Sequence, residues 1–96
     1  MSFFLKDKTI RFHAYINKKL FAYSTRIKID RLEWDLKSQR PKARRGEIGE
    51  ANRRITHELN EYQKVYDDLR RYLKESLTKE IVKAKFDERF QLAKAS

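Results

Sequence analysis

The chain has 96 residues, of which 40% are hydrophobic and 40% are charged, and its formal net charge at pH 7 is +10. This length suits one domain with a modest core, and the 12% aromatic content argues against disorder. The lack of cysteine excludes disulfides and thiolate chemistry and fits a reducing interior. No apolar run approaches the roughly 20 residues that span a bilayer, and no signal peptide is evident, so we expect a soluble cytoplasmic protein without a membrane partner.

The first half of the chain contains two segments that alternate in polarity and are rich in β-branched and aromatic residues. These segments, 9–17 and 19–29, predict a β-hairpin. Asn17-Lys18 suits its two-residue turn, because Asn tolerates a positive φ. The turn fixes the register, and the predicted partners are Tyr15 with Leu20, His13 with Ala22, Phe12 with Tyr23, and Arg11 with Ser24.

This register gives the hairpin two unlike faces. The apolar face, which we expect to form the core, holds Ile10, Phe12, Ala14, Ile16, Phe21, Tyr23, Thr25, Ile27 and Ile29. The opposite face is basic, with small and aromatic residues between the charges: Arg11, His13, Tyr15, Leu20, Ala22, Ser24, Arg26 and Lys28. Because an isolated hairpin is marginal, we predict a third antiparallel strand at Phe3-Phe4-Leu5, followed by a turn over 6–8.

Residues 30–46 contain the single proline and one of the two glycines and have no sustained period, which predicts a connector. We expect Trp34 and Leu36 to lie over one end of the core. The connector also carries a basic run, Arg40, Lys42, Arg44 and Arg45. As phosphate contacts these residues would add salt-dependent affinity without choosing a sequence, and a solvated linker is an equally good interpretation.

Over residues 47–77 the period becomes helical. Two lines of side chains recur every seven residues, Ile48, Ile55, Tyr62 and Leu69, and Asn52, Leu59, Tyr66 and Leu73. The stripe is wide, which favours packing onto the sheet, with weak self-association through this long helix as the alternative. Gly49 favours a frayed or later helix start. Thr78 suits the N-cap of a short helix over 78–90, whose apolar line is Val82, Phe86 and Phe90.

The sequence therefore predicts one α+β domain over 1–96. Its three-stranded antiparallel sheet (1–29) and basic connector (30–46) precede a long helix (47–77), a short C-terminal helix (78–90) and a tail (91–96). His13 and His57 are isolated and lack the spacing of metal ligands. The sequence also contains no phosphate-binding loop and no catalytic constellation. We therefore predict no metal, no cofactor and no enzymatic activity.

The charge is concentrated in the predicted sheet and connector. Residues 1–46 hold 13 Lys/Arg against 4 Asp/Glu, whereas residues 47–96 hold 11 against 10. Such confinement indicates a polyanionic partner, and double-stranded DNA is the leading candidate because a sheet can enter the major groove. A solvated charged face is the alternative. The candidate DNA contacts are Arg11, His13, Tyr15, Lys18, Lys19, Arg26, Lys28, Arg40, Lys42, Arg44 and Arg45.

Residues 2–42 contain a succession of short motifs. They are Ser2-Phe3-Phe4-Leu5, Ile10-Arg11-Phe12, Asn17-Lys18-Lys19, Phe21-Ala22-Tyr23-Ser24-Thr25 with Ile29, Glu33-Trp34-Asp35, and Lys37-Ser38-Gln39-Arg40-Pro41-Lys42. The succession resembles the N-terminal arm-type DNA-binding domain of tyrosine recombinases, the integrases of phages and conjugative transposons. Lys18 and Arg26 depart from the family's pattern, which often has Gly at these two places.

The resemblance implies a three-stranded sheet, backed by a helix, that enters the major groove of arm-type sites beside the recombination site. Arg11, His13, Tyr15, Arg26 and Lys28 would face the DNA. It also implies a fragment of a longer bacterial, nucleoid-associated integrase that acts in DNA recombination, with its catalytic Arg, His-x-x-Arg and Tyr in a C-terminal domain outside this chain. The alternative function is a helical interaction or oligomerisation module with non-specific nucleic-acid affinity. RNA binding is disfavoured, because no aromatic ribonucleoprotein motif is present.

Overall fold

The computed structural model describes residues 1–91, which form an α+β fold and confirm the predicted fold class. Three antiparallel strands form a sheet in the order β1-β2-β3. A long helix and a shorter helix pack against one face of this sheet. The bounds are β1 (Ser2–Lys6), β2 (Thr9–Ile16), β3 (Lys19–Lys28), α1 (Gly46–Leu73) and α2 (Lys79–Phe86).

Both hairpin turns of the sheet have the mirror-image geometry that matches strand twist. Asn17 and Lys18 have φ values of 52° and 67°, and Asp7 and Lys8 have φ values of 50° and 67°. Positive φ at both central positions is the type I′ turn, which holds a two-residue hairpin in register. The predicted register is confirmed for Tyr15 with Leu20, His13 with Ala22, Phe12 with Tyr23 and Arg11 with Ser24.

An irregularity interrupts the β2–β3 ladder beyond Arg11. The next pair is Thr9 with Lys28, so the three residues from Thr25 to Ile27 lie opposite Ile10 alone. The Thr25 hydroxyl donates to the Ile10 carbonyl at 2.7 Å, which satisfies a backbone group inside this bulge. Because β3 has two extra residues here, an even number, its side chains beyond the bulge alternate between the same two faces as before it.

The core is an aromatic cluster between the sheet and the two helices. Phe12, in the central strand, makes edge-on contacts with Tyr66 of α1 and Phe86 of α2, at centroid distances of 5.2 and 5.1 Å. Phe86 also packs against Tyr23 and Tyr62. The short helix therefore belongs to the core and is more than an appendage of the long helix.

The connector is more ordered than predicted. It contains a 3-10 turn (Arg31–Glu33) and two short paired strands, β4 (Trp34–Asp35) and β5 (Arg40–Pro41). Trp34 is buried as expected, but Leu36 is 77% exposed, so the prediction for Leu36 is wrong. The reason is the tight turn between β4 and β5, which places Leu36 in solvent.

The long helix begins at Gly46 and ends at Leu73, where a 3-10 turn (Lys74–Ser76) follows. The expected fraying at Gly49 is wrong, because this buried residue lets the chain pack closely: an added Cβ would lie 2.1 Å from the Arg44 carbonyl oxygen. The apolar stripe is shorter than predicted, since Ile48, its first residue, is exposed.

The predicted N-cap of the second helix is confirmed, because the Thr78 hydroxyl accepts a 3.2 Å hydrogen bond from the Ile81 amide. This helix ends at Phe86, and a π-helical turn (Asp87–Gln91) follows. The predicted tail begins at Gln91, whose side chain in fact packs: Nε2 donates to the Thr25 carbonyl and the Tyr62 hydroxyl. The rest of that predicted tail, 92–96, lies outside the described residues.

Candidate nucleic-acid interface

The sheet face that is turned away from the helices is here called the outer face. Its side chains follow from the pairing of the three strands: Phe4, Arg11 and Ser24 form one row, and Ser2, His13 and Ala22 form the next. No acidic residue belongs to this face within the described chain. Its members are Ser2, Phe4, Lys6, Thr9, Arg11, His13, Tyr15, Leu20, Ala22, Ser24 and Lys28.

Arg11 occupies the central strand, between Phe4 on β1 and Ser24 on β3. Its Nε is buried and has no hydrogen-bond partner among residues 1–91. A buried donor without an acceptor is unfavourable, and most buried polar atoms in proteins have a partner. The guanidinium of Arg11 therefore has hydrogen-bonding capacity that its own domain leaves unused.

His13 is the next outward residue of β2 and contacts the ring of Phe4. The two rings meet edge to face, with centroids 4.0 Å apart. Partial burial and the positive charge of Arg11 both lower the pKa of His13. Because its ordinary pKa is about 6.5, His13 is neutral at pH 7 and offers one hydrogen-bond donor and one acceptor.

The end of the outer face at the Asn17 turn is apolar. Tyr15 is 74% exposed and lies opposite Leu20, which is also exposed. Lys18 lies in the turn itself, at the tip of the hairpin. Lys19 pairs with Ile16, a core position, so its register places it on the helix side of the sheet. Neither Lys18 nor Lys19 belongs to the outer face.

Arg26 and Lys28 have different placements. Lys28 pairs with Thr9 and belongs to the outer face, as predicted. Arg26 lies in the bulge with a φ of 62°, and its charge contributes to lowering the pKa of Asp87, on the helix side of the sheet. Counting alternate residues places Arg26 on the outer face, and because Arg26 has no paired residue on β2 within the bulge, that placement stays a prediction.

Arg40, in the connector, is part of the fold. Its guanidinium lies 4.7 Å from the ring centroid of Phe3, a core residue, and its Nη2 donates to Gln63 of α1 at 3.1 Å. Burial lowers the pKa of Arg40. The side chain thus joins β5 to both β1 and α1 on the helix side of the sheet, away from the outer face.

Arg44 and Lys42 surround a carboxylate. Arg44 Nε donates to Glu33 Oε1 at 3.0 Å, and Asn52 Nδ2 donates to the same oxygen at 3.0 Å. These hydrogen bonds lower the pKa of Glu33. Lys42 contributes backbone contacts, because its amide donates to the Glu33 carbonyl and its own carbonyl accepts from Asn52. The charge of Arg44 is therefore partly offset, whereas exposed Arg45 makes no ion pair among residues 1–91.

The sequence prediction omitted the contribution of β1 to the outer face. Ser2, Phe4 and Lys6 all lie there, beside His13 and Arg11 of the central strand. The sequence contained the necessary information, because a two-residue turn at Asp7-Lys8 fixes the register of β1 as Asn17-Lys18 fixes that of β3. Applied to β1, the same arithmetic places Phe3 in the core and Phe4 outside.

The described residues contain no group of three or more His, Asp or Glu side chains placed to hold a metal ion. Among the helices of residues 1–91, none is both long enough and apolar enough to cross a membrane. The outer face thus offers a cationic, partly apolar surface with hydrogen-bonding side chains at its centre. Comparisons with protein-family models, curated proteins and solved structures find no match for this chain.

Proposed function

We propose that this domain binds double-stranded DNA by inserting the outer face into the major groove. The observation that carries the proposal is the composition of this face: it holds Lys6, Arg11 and Lys28 together with His13, and no carboxylate. Neither helix covers it, so its side chains can reach a ligand. A two- or three-stranded sheet fits the width of the major groove, where arginine hydrogen-bonds to guanine.

The resemblance noted above supports a more specific role. We propose that the domain is the accessory N-terminal module of a tyrosine recombinase and recognises arm-type sites. In this role it performs no chemistry, and DNA strand exchange belongs to a separate catalytic domain. The surplus of positive charge in residues 1–46 fits this role, because it adds salt-dependent attraction to phosphates.

The alternative function, an interaction module that uses α1, has one observation in its favour. Ile48 and Tyr72 of this helix are exposed. At about 1.5 Å per residue, however, they are about 36 Å apart along the helix axis, so they do not form one continuous apolar seam. The heptad positions between them, such as Leu59 and Tyr66, are buried against the sheet.

Fluorescence anisotropy tests DNA binding. A preferred duplex is first selected from a random pool, and binding to it is compared with binding to a scrambled duplex over a salt series. We expect Arg11→Ala to weaken binding to the selected duplex by about 1–3 kcal/mol and to have much less effect on the scrambled one. Lys64→Ala, an exposed substitution on α1, is the control for loss of one charge and should have little effect on either duplex.

Two outcomes contradict the proposal. If Arg11→Ala weakens binding to both duplexes equally, the domain binds DNA through its positive charge without recognising a sequence. Absence of duplex binding even at low salt excludes DNA as the partner. In that case, light scattering that gives the mass of a dimer would support the interaction module.

A further inference from the structure

We propose that Phe4 and Arg11 act as a pair that recognises a thymine methyl group next to a guanine. This inference rests on the proposed insertion of the outer face into the major groove, and it assigns Phe4 a specificity-determining role. Arg11 would hydrogen-bond to guanine, and Phe4 would make the apolar contact with thymine.

The strand register places the two side chains together. Phe4 and Arg11 are directly opposite each other on neighbouring strands of the same face. Residues paired in this way have Cβ atoms about 4.5–5.5 Å apart. Successive bases of a DNA strand rise by about 3.4 Å. We therefore expect the two side chains to contact groups that lie within about two base pairs of each other.

The chemistry of the groove selects the partner of Phe4. The edges of the bases in the major groove present hydrogen-bond donors and acceptors, and the C5 methyl of thymine is the apolar group among them. A phenyl ring gains little from polar edges, since it desolvates them without replacing their hydrogen bonds. Phe4 is partly exposed and its neighbours on the outer face, Ser2, Lys6 and Arg11, are polar, so a methyl group is the complementary contact.

Both side chains are held before any ligand arrives. The edge-to-face contact with His13, at 4.0 Å between centroids, restricts the ring of Phe4. Arg11 has a buried Nε without a partner in the described chain, so part of its guanidinium is already desolvated. A pre-organised pair loses less conformational entropy on binding, which favours these two residues over flexible lysines as determinants of sequence.

The other large exposed apolar residues of the outer face lie elsewhere. Tyr15 is four residues from Arg11 along β2, and Leu20 lies opposite Tyr15. At about 3.3 Å per residue, this end of the hairpin is about 13 Å from the Phe4–Arg11 row. Leu20 is therefore a matched apolar control that contacts a different part of any bound duplex.

The test uses base analogues in the selected duplex. Replacing one thymine at a time with deoxyuridine removes only the methyl group, and replacing guanine with 7-deazaguanine removes the N7 acceptor. We expect one thymine, within two base pairs of a guanine that is sensitive to 7-deaza substitution, at which deoxyuridine weakens binding about fourfold. This is the effect of burying one methyl group, about 0.8 kcal/mol.

Variants assign the methyl effect to Phe4. Phe4→Ala should bind the thymine and deoxyuridine duplexes equally, whereas Leu20→Ala should keep the fourfold difference. Phe4→Leu, which keeps an apolar side chain, should retain part of the difference and serves as the second variant if Phe4→Ala does not fold. Arg11→Ala should remove the sensitivity to 7-deazaguanine at the neighbouring position.

The outcomes separate this inference from the proposed function. Sequence-selective binding without a methyl effect near the sensitive guanine overturns the inference and leaves DNA binding intact. A methyl effect that persists in Phe4→Ala also overturns it. Failure to bind any duplex overturns the proposed function and the inference together.

Discussion

The hydroxyl of Tyr23 donates a 2.6 Å hydrogen bond to Asp87 Oδ1, joining β3 to the turn that follows α2 across 64 residues of sequence. The other carboxylate oxygen of Asp87 accepts from Lys83 Nζ at 2.8 Å. These two hydrogen bonds, that from Lys83 first, hold the pKa of Asp87 below its ordinary value. Burial raises the pKa of Tyr23, so its hydroxyl remains a donor at any pH at which the domain would be studied.

Tyr23→Phe is expected to lower the free energy of unfolding by about 1–2 kcal/mol at pH 7, because it removes a hydrogen bond to a charged group. The folded-state pKa of Asp87 is depressed, so this stabilisation is present above about pH 4 and is lost as the pH falls through that lower pKa. Urea unfolding at several pH values measures both effects. Tyr72→Phe, on an exposed ring, is the control and should change stability by less than about 0.5 kcal/mol. A Tyr23→Phe difference that stays constant down to pH 2 would contradict the role of the carboxylate.

Substitutions to glycine at the adjacent turn residues Asn17 and Lys18 should change the stability of the domain in opposite directions. Lys18→Gly should stabilise the domain by about 0.5–1 kcal/mol, because positive φ is unfavourable for a residue with a Cβ. Asn17→Gly keeps the turn geometry but removes the 2.7 Å hydrogen bond from Nδ2 to the Leu77 carbonyl, and should destabilise by about 1 kcal/mol. Thermal and chemical denaturation of the two variants measure this. Equal shifts in the same direction would show that the Leu77 contact contributes nothing.

The lowered pKa of His13 predicts that DNA affinity and protein stability change in opposite directions with pH. Its pKa is lowered in the free domain, so the unfolded chain binds more protons just below about pH 6.5, and stability decreases as the pH falls through this window. Protonation adds a cation to the outer face, whose other charged groups are Lys6, Arg11 and Lys28, so DNA affinity should increase over the same window. Anisotropy and urea unfolding between pH 5 and 7.5 test this, each compared with His13→Gln. The two titrations should flatten in the variant, and an unchanged slope in both would assign the effect to other groups.

The basic connector residues should separate into structural and electrostatic roles. Arg40→Ala should lower stability by about 1–2 kcal/mol, because it removes the contact with Phe3 and the hydrogen bond to Gln63. Arg45→Ala should leave stability within about 0.5 kcal/mol, weaken binding to all duplexes alike and reduce the salt slope by about one. Unfolding curves and salt-dependent anisotropy on both variants test this pair. Loss of duplex affinity without loss of stability in Arg40→Ala would contradict the structural role of Arg40.

The hairpin register was predictable because a two-residue turn at a known position allows only one pairing of the residues in the two strands. Once Asn17-Lys18 is the turn, each partner of β2 on β3 follows, and the faces follow from the two-residue period. The bulge was not predictable in this way. Thr25, Arg26 and Ile27 continue the alternation of apolar and polar residues, and no glycine marks the two extra positions.

The side-chain contacts of the connector could not be predicted from sequence patterns. Arg40, Lys42, Arg44 and Arg45 look alike in the sequence, yet Arg40 and Arg44 have side-chain partners 23 and 11 positions away. Glu33 accepts from Arg44, and Gln63 accepts from Arg40. No periodicity encodes such pairings, because they depend on how β5 packs on α1. Phe86 differs: its helical spacing predicted an apolar line, and its central place in the core follows from the return of α2 to the sheet.

The attachment of Gln91 joins the last described residue to the body of the domain. Its side chain is hydrogen-bonded to Thr25 and Tyr62, both of which belong to the helix side of the sheet. Gln91 therefore lies behind the sheet, as seen from the outer face. A ligand on the outer face and the hydrogen bonds of Gln91 would therefore occupy opposite sides of the sheet, so substitution of Gln91 should change stability without removing a ligand contact.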